Sequence, residues 1–134
     1  MANQIIMVDT SILIDYFRKK DKSKTRLFDL SQKSDNLCIS SITEFEIYTG
    51  AKDDQANFWK KMLSNFIVFP FDSDAALVAV EVQNKLKRRR KSIDKADLFI
   101  AATAIARDLY FDTLNHKHFE HIEDLKMTKS GSSN

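Results

Sequence analysis

The stretch Ile5-Ile6-Met7-Val8-Asp9-Thr10-Ser11-Ile12-Leu13-Ile14-Asp15 decides how the rest of the chain is read. Four apolar residues in a row, with no polar alternation, describe a short strand buried on both faces, as in a parallel sheet. The run stops at Asp9-Thr10-Ser11, residue types that cap helices, and Ile12 to Phe17 continues as a short helix. A buried strand that ends in a carboxylate and passes straight into a helix puts that acid at the carboxyl edge of a sheet, where open α/β folds bind ligands.

The same alternation repeats outward from this stretch. A basic linker at 18–26 leads to an amphipathic helix around Leu27 and Leu30 that runs to about Lys33, and Leu37-Cys38-Ile39 is the next brief strand. Ser41-Ile42-Thr43-Glu44 matches a capping box, which predicts a helix from about Ile42 to Gly50. Residues 53–65 read as a helix with Phe58, Met62 and Phe66 on one stripe, and Ile67-Val68-Phe69 is a strand closed by Pro70. Asp72 or Ser73 caps the longest helix, whose buried face is Ala75, Ala79, Val82 and Leu86. Asp94 caps a helix from Lys95 to about Asp108, followed by the strand Leu109-Tyr110-Phe111, a helical turn at His116–Phe119 and an edge strand at Leu125–Met127. Strands alternating with helices predict an α/β fold in which right-handed crossovers cover both faces of a short central parallel sheet. One domain is expected over 1–127, with a disordered polar tail at 128–134.

Composition narrows the function. At 134 residues, folding hides roughly 65 to 70% of the unfolded surface, enough for a core without disulfides or structural metal. Cys38 stands alone, which excludes a disulfide framework and a Cys-based zinc site and fits a reducing, cytoplasmic setting. No apolar run approaches a membrane span, and no signal peptide is legible. Gly50 is the one glycine before the tail, so neither GxGxxG nor a P-loop can be drawn. The net charge of +2 is unevenly spread: segments 18–26 and 85–91 together carry +11 and everything else −9. Basic patches around an acidic remainder suit a phosphate-binding protein with a carboxylate-lined centre.

Three acids fall where the predicted topology brings them to one sheet edge. Asp9 follows the first strand, Glu46 lies on the helix after the second, and Asp97 opens the helix before the last long strand. Glu46 is four residues from both Ile42 and Gly50, on the flank of the expected buried stripe, while Asp97 shares a face with the small Ala101 and Ala104. Each acid also has a plain structural use, as a cap or as a first-turn complement to the helix dipole. Brought within 4 Å, a pair of carboxylates repels by roughly 4 kcal/mol at an effective dielectric of 20, a cost that a divalent cation removes. Oxygen-only ligands select Mg²⁺ or Mn²⁺ rather than zinc. Such a site neutralises a phosphodiester during in-line displacement. The second acid that a haloacid-dehalogenase-type phosphatase needs two residues after the first is absent, because Ser11 stands there.

Four runs in order carry a resemblance: V8-D9-T10-S11-I12-L13-I14-D15, I39-S40-S41-I42-T43-x-x-E46-I47-x-x-G50, A96-D97-L98-F99-I100-A101-A102-T103-A104 and D112-T113-L114-N115-x-x-H118-F119. The sequence resembles the PIN-domain ribonucleases, specifically the VapC-type toxins of type II toxin-antitoxin systems, over residues 5 to about 127. The resemblance implies a PIN-like three-layer α/β/α sandwich. It also implies a Mg²⁺- or Mn²⁺-dependent endoribonuclease that cuts structured RNA of the tRNA or rRNA class with metal-activated water. Asp9, Glu46 and Asp97 match the family's metal-binding acids and become the expected catalytic set. Thr113 and Asn115 match the fourth motif, where many members have Asp at the position of Asn115; a carboxamide can still ligate but brings no charge. Thr10, Ser11 and Thr113 are expected accessory groups. Implied partners are an RNA substrate, a cognate VapB-type antitoxin whose C-terminal segment enters the acidic groove, and a second copy of the chain.

Lys85, Lys87, Arg88, Arg89, Arg90 and Lys91 either end their helix in solvent or contact RNA phosphates, a contribution that falls steeply with salt. His116, His118 and His121 do not share one helical face, which argues against a three-imidazole site, and His118-Phe119 resembles a structural pair of the family, which implies Phe119 in the core. The rival expectation is a non-catalytic PIN-like module that binds RNA or protein, for which Asn115 is the best support.

Overall fold

The computed structural model describes residues 4–128. Five strands, β1 (Ile6–Val8), β2 (Leu37–Ser40), β3 (Ile67–Phe69), β4 (Tyr110–Asp112) and β5 (Lys126–Met127), form one sheet in the order β3-β2-β1-β4-β5. Every pairing is parallel, so each connection is a crossover, and among the described residues these carry seven α-helices. They are α1 (Thr10–Arg18), α2 (Arg26–Lys33), α3 (Ser41–Gly50), α4 (Ala56–Leu63), α5 (Ser73–Arg88), α6 (Lys95–Ala106) and α7 (His116–Phe119).

Period-2 alternation along the strands divides the interior into two layers. Ile6, Val8 and Ile39 face a core with Ile12, Leu13, Leu27, Leu30, Ile47, Trp59 and Leu63 from α1 to α4. Met7, Cys38 and Phe111 face the other way, onto Ala79, Val82 and Leu86 of α5, the small face of α6, and Phe119. Helices on both faces of a parallel sheet give the three-layer α/β/α sandwich expected from the sequence. No helix among the described residues is long and apolar enough to cross a membrane.

Several local expectations are corrected. The cap of α3 is Ser40, whose hydroxyl accepts the Ile42 N–H at 3.0 Å, whereas Ser41 Oγ accepts the Phe71 N–H at 3.2 Å; the Ser41–Glu44 capping box does not form. The buried residues of α3 are Thr43 and Ile47, not the Ile42–Gly50 stripe. The 53–65 segment is a 3-10 turn (Asp53–Gln55) followed by α4, which buries Trp59 and Leu63 and leaves Phe58 39% exposed. Thr128, where the tail was expected to start, donates its N–H to Phe111 O at 3.0 Å and its hydroxyl to Asp112. Residues 129–134, where the disordered tail was expected, lie outside the described residues.

The sheet order defines the site. Chain order runs outward from β1 through β2 to β3, then jumps to the other side of β1 for β4 and β5. The crevice at this reversal, at the carboxyl ends of β1 and β4, is where open α/β sheets place ligands.

Candidate active site

Asp9 leaves β1 and caps α1, accepting the Ser11 N–H at 3.1 Å. Its two carboxylate oxygens are both engaged. Oδ1 also takes the Ser11 hydroxyl at 2.5 Å, and Oδ2 takes the Thr113 hydroxyl at 2.6 Å across the sheet reversal. Ser11 Oγ accepts the Leu114 N–H at 3.0 Å and Thr113 Oγ1 accepts the Asn115 N–H at 2.9 Å, so the turn after β4 is stitched to the turn after β1. Behind it, Asp112 is 3% exposed and clamped by Arg26, which donates Nε to Oδ1 at 3.1 Å and Nη2 to Oδ2 at 2.6 Å. Asp112 therefore serves the scaffold.

Glu46, half-buried on α3, is held by the first residue of α1: the Thr10 hydroxyl donates to Glu46 Oε1 at 2.5 Å. Asp97, in the first turn of α6, is hydrogen-bonded to His118 Nδ1 at 3.0 Å. Asp9, Thr10, Ser11, Glu46, Asp97 and Asn115 all line one cleft of about 880 Å³. Four segments distant in sequence, residues 9–11, α3, α6 and the turn after β4, thus deliver six of the expected site residues to one space, with Thr113 bonded behind them. Burial pushes the Asp9 carboxyl above its ordinary value, opposed by the Ser11 and Thr113 hydrogen bonds and reinforced by the negative charge of Asp97. Burial also raises Asp97, against the pull of His118.

Sequence reasoning missed three features of this cleft. His118 lies against Asp97 instead of serving only as a structural neighbour of Phe119, although Phe119 is buried as expected. Asp94 also lines the space, and its side chain makes no capping hydrogen bond to α6. The basic side chains lining the cleft are Arg18 and Lys19, from the 18–26 segment and not from the cluster at 85–91 that was expected to meet RNA. Lys85, Lys87, Arg88, Arg89, Arg90 and Lys91 line no part of it. Lys85 pairs with Asp124 at 2.8 Å and Arg89 donates to His121 O at 3.1 Å, while Lys87, Arg88, Arg90 and Lys91 are exposed at the end of α5.

The donor set fits a hard divalent cation. Its members are oxygens, two of its carboxylates are raised in pKa by burial, and Asp9 and Asp97 repel each other. Among the described residues no three His, Cys, Asp or Glu side chains stand close enough to enclose a metal, so the carboxylates do not form a finished cage. Mg²⁺ does not need one, since it keeps several waters and is commonly held by one or two carboxylates.

The PIN domain model matches residues 6–125, and the chain belongs to that family. Among similar proteins is ribonuclease VapC1 of Methanocaldococcus jannaschii, 37% identical over 123 residues that cover 89% of this chain and 82% of the relative. The tRNA(fMet)-specific endonuclease VapC of Shigella flexneri is 30% identical, covering 90% of this chain and 93% of the relative. In three dimensions the chain is similar to DNA-bound VapBC of Salmonella typhimurium, with a TM-score of 0.80, 27% identity and coverage of 93% and 97%. It is also similar to a toxin-antitoxin complex from Klebsiella pneumoniae, with a TM-score of 0.73, 30% identity and coverage of 90% and 94%.

Proposed function

We propose that this protein is a Mg²⁺- or Mn²⁺-dependent endoribonuclease that acts as the toxin of a toxin-antitoxin pair on structured RNA of the tRNA or rRNA class. The observation that carries the reading is the meeting of Asp9, Glu46 and Asp97 in one cleft at the sheet reversal, two of them held above the ordinary carboxylate pKa. The names of the relatives support it, as does the likeness to complexes that contain an antitoxin. Exposed apolar side chains, Phe45 at 65%, Leu77 at 68% and Val80 at 56%, give surface for the two expected protein partners, a VapB-type antitoxin and a second copy of the chain.

Asp9 and Asp97 would hold the cation, with Asn115 offering a neutral carboxamide at the rim. When bound, the cation supplies charge neutralisation at the phosphate and a lowered pKa for the attacking water. Ser11 and Thr113 fix the Asp9 carboxylate from two sides, so its geometry is set before substrate arrives. Thr10 fixes Glu46 through Oε1, leaving Oε2 to take the proton of the attacking water. Water oxygen bonds to phosphorus as the bond from phosphorus to the 3′-oxygen breaks, and the departing 3′-oxygen takes up a proton from solvent, giving 5′-phosphate and 3′-hydroxyl ends. The ribose 2′-hydroxyl is not the nucleophile, so the RNA preference comes from recognition.

The test is to incubate purified wild type and Asp97→Asn with total RNA in Mg²⁺, Mn²⁺ or EDTA and to map new 5′ ends. Discrete cuts with 5′-phosphates, abolished by EDTA and by the substitution, are expected. A second reading, a non-catalytic binding module, draws on Asn115 and on the unfinished metal cage. It predicts retarded RNA mobility with no product.

A further inference from the structure

Beside the Asp97–His118 pair the cleft adjoins a second recess of about 290 Å³. The two spaces share Asp94, Asp97 and His118, so a strand lying in the cleft has this recess directly alongside it. Leu86, Ile93 and Ile122 make its walls apolar, and Leu86 and Ile122 are rooted in the core at 3% and 7% exposure. Ser92, Lys117 and His121 add a hydroxyl, an ammonium and an imidazole to the lining. None of those three has a part in the cation and water chemistry described above. Apolar walls that accept the faces of a flat ring, with donors and acceptors at its edges, are what an unstacked nucleobase requires. An aliphatic side chain would leave the polar groups unmatched, and a bare phosphate would gain nothing from the walls.

We propose that this recess is a nucleobase subsite that takes the base of a nucleotide adjoining the scissile phosphate and sets the base preference of cleavage. The proposal rests on the ribonuclease reading and supplies what that reading lacks, because the acidic cleft meets phosphate and sugar, which carry no sequence information. Sequence-selective proteins read RNA mainly at single-stranded loops whose bases can be splayed out, so a structured RNA would offer such a base from a loop. Ser92 lies on the exposed connection between α5 and α6, and Lys117 is exposed on α7, so both can be replaced without disturbing the core.

Two experiments on the full chain test it. In the first, each of the four nucleoside 5′-monophosphates is titrated into metal-free protein and backbone amide shifts are followed by NMR. At least one nucleotide is expected to move residues 92–94 and 117–122, with affinity falling about tenfold or more in Ser92→Trp, which fills the mouth. Shifts confined to the cleft around Asp9 and Glu46, or no shifts at all, overturn the proposal; a recess kept for a protein partner would give this result. In the second, cleavage sites on total RNA are mapped for wild type, Ser92→Trp and Lys117→Ala. Base preference at one position next to the cut is expected to flatten by about tenfold in both variants, in cleavage still suppressed by EDTA. Unchanged preference in both variants overturns the subsite. Wild type that cuts no RNA overturns the ribonuclease reading instead, and the nucleotide titration then still decides whether the recess binds a base.

Discussion

Asp9 does three jobs with one side chain. It caps α1, it ties β1 to the turn after β4 through Thr113, and it brings a 3% exposed carboxylate close enough to Asp97 to feel its charge. Burial raises its pKa, so the metal-free native state binds the proton more tightly than the unfolded chain does. The resulting stability is present below the ordinary value of 3.8 and is lost as pH rises through the higher folded value. Asp9→Asn keeps an acceptor for Ser11 and has no charge to bury. At pH 7 in EDTA it is expected to melt above wild type. That gap should close as pH falls towards 3.8, and cleavage should be lost throughout, the pattern of a site that costs stability for function. Calorimetry across pH 4 to 8 checks the sign. The place of this acid was legible because a strand end and a cap can be read locally. The pairing of His118 with Asp97 was not, since it depends on how the 113–115 turn aims a four-residue helix across 21 positions of sequence.

Elements are tied together beneath the cleft by the Arg26 guanidinium, which reaches from the start of α2 to the end of β4, while Thr128 closes on the same Asp112 after β5. Arg26→Met leaves Asp112 in the interior with only the Thr128 hydroxyl of this set. The cost should be about 3 kcal/mol in urea unfolding, the low end for breaking a buried pair. Arg26→Met combined with Asp112→Leu should recover much of that loss, and a double variant no more stable than the single would contradict this account of the clamp. Such a tie spans 86 residues and leaves no periodic trace in the sequence. The α5 stripe Ala75, Ala79, Val82 and Leu86 was fully legible, because a sixteen-residue helix gives its period room to show. The shorter α3 and α4 did not offer that. Between adjacent Ser40 and Ser41 the cap was decided by Phe71, thirty residues away, which claims the second hydroxyl. In the 53–65 segment a 3-10 turn precedes α4, which starts only at Ala56 and buries Trp59 and Leu63.

Over the whole molecule the charge pattern has a direction. Acids gather where the sheet reverses, Arg18 and Lys19 stand on the lining of that cleft, and the larger basic cluster at the end of α5 lies off it. RNA binding should therefore weaken more in Arg18→Ala/Lys19→Ala than in Arg88→Ala/Arg90→Ala. With binding followed against salt, each phosphate deprived of its cationic partner should reduce the logarithmic slope by about 0.7 to 0.9. Equal slopes for both double variants would show that RNA takes another path. Cleft carboxylates that form a cation site should take up Mn²⁺, which a titration of the purified chain reads by calorimetry or water-proton relaxation. Saturable binding in wild type that is lost in both Asp9→Asn and Asp97→Asn is the predicted result. Binding undiminished by either substitution, or none in wild type, would contradict it.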